Sequence, residues 1–140
     1  MCKHFTGKML NLQIIMEKLI EKYQQVIRDT PTRFVRSFIK NIHWEERLIG
    51  IKGAKGVGKT TLILQHIKKE LGNVKSIYLS LDNPYFYGNN LTESIEDFIK
   101  TGFTHFFLDE VHKYPNWSAE IKTLHDTYRK IHIVFTGSSV

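Results

Sequence analysis

Cysteine is nearly absent from this chain: Cys2 stands alone, which excludes an internal disulfide and any cysteine-based metal site. No run of residues approaches membrane-spanning length, and the opening MCKHFTGKML lacks the continuous apolar stretch of a signal peptide. Repeats, low-complexity tracts and linkers are missing too. With 140 residues there is room for one ordinary core and hardly for two. Apolar residues make up 41% and charged residues 24%, a globular composition. These features read as a soluble, cytoplasmic protein with no membrane partner.

What is present begins with charge. The net charge is +6, and its excess lies towards the N-terminus. Lys22, Arg28, Arg33, Arg36 and Lys40 form a basic segment broken only by Asp29, over residues 22–40. Such a segment offers a contact for nucleic acid or an acidic protein partner, or is simply a solvated helix face.

Leu12, Ile15, Met16, Leu19, Tyr23, Val26 and Ile27 recur at helical spacing, which predicts an amphipathic helix over 8–28. Thr30-Pro31 reads as an N-cap followed by proline at the first helical position. The short helix it opens would reach about Asn41, burying Phe34, Val35, Phe38 and Ile42. From Arg47 the pattern turns to alternating units. Strands are expected at 48–52, 74–81, 103–108 and 131–135. Helices lie between them, one ending near Leu71 before Gly72, one closed by Gly102 and one capped by Ser118. This alternation calls for a parallel sheet covered on both faces, a three-layer α/β architecture. The chain divides into a helical extension, residues 1–44, and a core, residues 45–140.

Between the first strand and helix lies GAKGVGKTT, residues 53–61. Gly53, Gly58, Lys59 and Thr60 satisfy the pattern of a phosphate-binding loop. Its glycines allow backbone N–H groups to converge on phosphate oxygens, with the positive end of the next helix behind them. The expected contacts run from Gly53 through Ala54, Lys55, Gly56, Val57 and Gly58 to Lys59, Thr60 and Thr61. Lys59 would neutralise the β- and γ-phosphates, and the Thr60 hydroxyl would ligate Mg²⁺.

The second signal is THFFLDE, residues 104–110. A carboxylate at the end of a buried strand holds Mg²⁺ and its waters in phosphoryl transfer, which places Asp109. Glu110, one residue on, suits the general base that orients attacking water.

GAKGVGKTT, FFLDEVHKYPNW and IVFTGSS, in this order and spacing, resemble the AAA+-related P-loop ATPases of bacteria and archaea. They are most similar to the prokaryotic group that joins such a core to a C-terminal domain of poorly assigned function. The resemblance covers about residues 45–140. It implies ATP as the nucleotide, a sheet order of 5-1-4-3-2 and hence 1-4-3-2 for the four strands here. It further implies a γ-phosphate sensor at the end of the fourth strand, Thr136 or Ser138, with Ser138 favoured. Similar ATPases continue to a fifth strand, a helical lid and an arginine reaching a neighbouring subunit. On that basis the chain reads as a fragment, a homo-oligomer through regions beyond it, and a weak ATPase, since such an arginine contributes about 10³- to 10⁵-fold. The first strand is then expected at a sheet edge, covered by the N-terminal helices or left open.

Two functions stand at this point. One is a Mg²⁺-dependent ATPase core that drives motion in other domains or subunits. The other is a nucleotide-gated binding module with little hydrolysis. His112, directly after Asp109-Glu110, could serve as an acid or base but reads rather as an ordinary loop histidine, and Trp117 as a packing anchor. Asp82 and Asn83 stand at the ligand-binding edge of the sheet and Ser80 could be a polar partner for Glu110, but all three read first as capping or turn residues. Tyr85, Phe86 and Tyr87 are either an exposed aromatic contact or a cover for the sheet edge.

Overall fold

The computed structural model describes residues 2–35, 37–54 and 56–138, with side chains from residue 9 on. Its centre is a four-stranded, wholly parallel sheet of β1 (Leu48–Gly53), β2 (Ser76–Ser80), β3 (His105–Asp109) and β4 (His132–Ser138). The spatial order is β1-β4-β3-β2, as expected. Both faces are covered, so neighbouring residues of one strand are buried in opposite directions. Phe106, Leu108 and Ile133 join one core with Ile95, Phe98, Ile121 and Leu124, from α4 (Leu91–Lys100) and α5 (Trp117–Thr127). Phe107 and Val134 join the other with Leu62, Ile63 and Ile67, from α2 (Lys59–Glu70). Each such side chain contributes about 1.5–3 kcal/mol on burial. The phosphate loop and Glu110 thereby emerge at one rim of a rigid slab.

Register decides one glycine. Gly50 faces Phe135, and a Cβ there would stand 2.6 Å from the Phe135 ring. The ring, lying over the bare backbone, meets Trp117 at 5.3 Å between centroids. Arg47, just before β1, donates to the carbonyls of His125 and Tyr128 at 2.8 and 3.0 Å. One guanidinium thus closes the C-terminus of α5 and fixes the entry to β1.

The N-terminal segment departs from expectation. Helix α1 spans Cys2–Asp29. Thr30 closes it instead of opening another: its N–H binds the Ile27 carbonyl and its hydroxyl the Val26 carbonyl. Lys68 of α2 adds its ammonium to the carbonyls of Arg28 and Thr30, a cationic cap at the negative helix end. Gln65 then holds the Pro31 and Phe34 carbonyls at 2.9 and 2.7 Å, tying that segment to α2 in a non-helical path. Only a 3₁₀ helix, Ser37–Asn41, follows. Phe34 and Phe38 are exposed, not buried, while Ile42 packs against the core as expected, joined by Ile39 and Trp44.

Helix α1 touches both cores, through Leu19 and Ile20 on one side and Val26 and Ile27 on the other. It therefore lies along the β2 edge, where Tyr23 shares a 3.0 Å hydrogen bond with Ser76. The edge it covers is the opposite one from β1, which pairs only with β4 among the described residues. Helix α5 starts at Trp117 after Asn116, so Ser118 lies inside the helix and does not cap it. The stretch 82–89 contains one helical turn, α3 (Tyr85–Gly88).

Candidate nucleotide site

The C-terminal ends of parallel strands are where ligands bind in open α/β sheets. Here that rim carries Gly53, Ser80, Asp109 and Ser138 at the ends of the four strands. Gly56 and Gly58 take φ of +85° and +90°, which side chains other than glycine rarely adopt. These torsions turn the chain from β1 into α2, whose N-terminal N–H groups and dipole face the loop. Lys59 is only 9% exposed, and its ammonium is held at 2.6 and 3.0 Å by the carbonyls of Gly53 and Ala54. Its charge is thus fixed within the loop. Lys55 lies outside the described residues, as does Arg36 of the basic segment.

Asp109 is the polar centre of the rim. It is 2% exposed, and a carboxylate buried to that degree must be surrounded by donors. Thr60 and Tyr78 each donate to Oδ2 at 2.6 Å. The hydroxyl of Thr136, itself fully buried, donates to Oδ1, and the Glu110 N–H approaches the same oxygen at 3.2 Å. Burial, and then the negative charge of Asp109, push the Tyr78 hydroxyl far above its ordinary pKa, so it stays a phenol and a donor. The phosphate loop and the acidic strand end are therefore joined directly through Thr60 and Asp109.

Glu110 turns the chain with φ +56° and ψ +42°, the left-handed region, which is unusual for a residue with a side chain. The Lys113 N–H closes this turn on the Glu110 carbonyl at 3.0 Å. The Glu110 side chain meets His112, with Nε2 at 3.3 Å from Oε2. Ser80 does not reach it; its hydroxyl binds Asp82 at 2.6 Å. At the end of β4 the Ser138 hydroxyl is buried without a hydrogen-bond partner among the described residues, while its N–H binds His112 Nδ1 at 3.2 Å. Thr136 and Ser138 are thus both at the rim, the first bound to Asp109 and the second to His112.

Tyr78 is the site neighbour that the residue pattern did not single out, and His112, read there as an ordinary loop histidine, stands beside Glu110. Tyr78 was within reach of the argument, because the order β4-β3-β2 sets the β2 strand beside Asp109. The aromatic run after β2 does not act as a unit: Phe86 is buried, the Tyr85 hydroxyl pairs with Ser94, and Tyr87 alone is exposed, at 81%. The basic segment 22–40 runs over a helix, a turn and a 3₁₀ helix, with Lys22, Arg28, Arg33 and Lys40 exposed.

Beside the loop opens a cavity of about 300 Å³, lined by Pro31, Arg33, Phe34, Gly58, Thr61, Leu62 and Gln65. It shares Gly58 and Thr61 with the phosphate loop, and the Gln65 bonds described above fix its outer wall.

Residues 45–140 match the AAA domain family, and they hold the whole sheet, the loop and Asp109-Glu110. The chain belongs to the AAA domain family. Membership carries a P-loop architecture and nucleotide binding of the ATPase type. No curated protein matches the chain. Among the described residues, no helix of this AAA domain is long and apolar enough to cross a membrane.

Proposed function

We propose that the chain binds ATP with Mg²⁺ and hydrolyses it slowly, as the motor or switch core of a larger AAA+-like assembly. The observation that carries this reading is the Thr60–Asp109 bond with Glu110 immediately beyond it. A hydroxyl and a carboxylate are hard oxygen donors of the kind Mg²⁺ takes, through its waters and the nucleotide phosphates. When bound, the ion would neutralise charge building on the β- and γ-oxygens. Backbone N–H groups from Gly53 to Thr61, with Lys59, would hold the phosphates. Nucleotide entry requires Lys59 to exchange its two loop carbonyls for phosphate oxygens. Glu110 would orient the attacking water and accept its proton, and Ser138, its hydroxyl free, would read the γ-phosphate. The cavity between Phe34 and Thr61 is the natural seat for the nucleoside, with Phe34 available for stacking.

Equilibrium binding of a fluorescent ATP analogue, with and without Mg²⁺, tests the site. Lys59→Ala is expected to weaken binding roughly 10- to 100-fold, and Asp109→Asn to abolish the gain from Mg²⁺. Binding indifferent to both substitutions would reject this assignment.

A further inference from the structure

Glu110 is held at its backbone from several sides, and among the described residues its side chain forms an ion-pair-range contact with His112. The imidazole sits on the single 3₁₀ turn Val111–Lys113, which leaves β3 directly after Glu110. Val111 is 1% exposed, and a Cβ on Gly137 would meet it at 3.5 Å, so this turn is seated tightly against β4. From that seat His112 makes two contacts in opposite directions. Its Nδ1 accepts the Ser138 N–H at 3.2 Å, and its Nε2 lies 3.3 Å from Glu110 Oε2. A neutral imidazole has one donor and one acceptor nitrogen. Since Nδ1 accepts, Nε2 must carry the hydrogen, and that nitrogen stands 3.3 Å from the carboxylate, a close polar contact short of an aligned hydrogen bond.

The geometry points to His112 as the positioning residue for Glu110: locked in the Nε2–H tautomer by the Ser138 backbone, it fixes the carboxylate and ties its orientation to the end of β4. The inference rests on the proposed hydrolysis, because it supplies what that reaction lacks. A general base must be held within about hydrogen-bond reach of its water, and small misplacements cost up to roughly 10²-fold in rate. A shift of Ser138, for instance on contact with a γ-phosphate, is transmitted to Glu110 through one rigid ring.

Two half-isosteres separate the contacts. His112→Asn keeps an acceptor near the Nδ1 position and removes the donor facing Glu110; His112→Gln keeps a donor near Nε2. Single-turnover ATP hydrolysis is expected to fall roughly 10- to 100-fold in His112→Asn, with nucleotide affinity within about threefold of wild type. His112→Gln should recover most of that loss. A rate unchanged in His112→Asn, or a loss confined to affinity, overturns the assignment. Imidazole ¹⁵N shifts, at a pH where the ring is neutral, decide the same point without hydrolysis. The expected result is Nε2–H, with a resonance that moves in Glu110→Gln. A proton on Nδ1, or indifference to Glu110→Gln, contradicts the geometry even if the wild type hydrolyses nothing, an outcome that would count against the proposed function alone.

Discussion

Two loops turn the chain at the same rim, one after β1 and one after β3, and both need positive φ. The phosphate loop meets the need with Gly56 and Gly58, whereas the acidic loop meets it with Glu110 and Asn116. In a left-handed conformation a side chain costs about 1–2 kcal/mol, and glycine avoids this. The difference follows what each loop offers a ligand. In the proposed function the backbone after β1 is the binding group, so side chains there are dispensable and even obstructive. The side chain after β3 would be the functional group, and its strained backbone is held by its surroundings. Asp109, Thr136 and Lys113 all bond to the Glu110 backbone. Strain held in this way is characteristic of functional positions.

The largest effect is expected at Gly58. Gly58→Ala is expected to cost about 2 kcal/mol in denaturant unfolding and at least about tenfold in nucleotide affinity, since the loop N–H groups lose their aim. Acid, by contrast, should act outside both loops. His66 stacks on Trp44 at 3.7 Å, and burial lowers its pKa from 6.5 to about 4, against the raising effect of Glu70. The folded ring stays neutral while the unfolded one protonates, so stability is full above pH 6.5 and falls as pH drops towards 4. With solvent screening of the half-buried ring the loss is on the order of 1 kcal/mol near pH 5, and His66→Gln should reduce it in pH-dependent unfolding. The smallest effect is the reverse exchange in the acidic loop. Glu110→Gly should change stability by less than about 1 kcal/mol, the relief of strain offsetting glycine's entropy, while removing hydrolysis.

Much of this arrangement was legible in the residues. Buried strands announced themselves as short apolar runs, and the loop pattern with Asp109 located the rim, because both depend on local sequence. The sheet order came from the resemblance to a known family, since nothing local in FTHFFL says which strand it will lie beside. Thr30-Pro31 misled for a related reason. The dipeptide fits a helix start, but Lys68 and Gln65, more than thirty residues away, claim the carbonyls around it. His112 was named in the sequence as an ordinary loop histidine, but its contact with the Ser138 N–H of another strand was not legible there, and Ser80 turned to the nearer Asp82.

In the proposed function, the Asp109-Glu110 end of β3 makes this AAA domain a hydrolase as well as a nucleotide cradle. Single-turnover hydrolysis of ATP by wild type and Glu110→Gln, with and without Mg²⁺, tests it most directly. The account predicts Mg²⁺-dependent cleavage in wild type, and in Glu110→Gln undiminished binding with cleavage reduced by roughly 10²- to 10⁴-fold. Equal rates in the two proteins, or cleavage that ignores Mg²⁺, would contradict it.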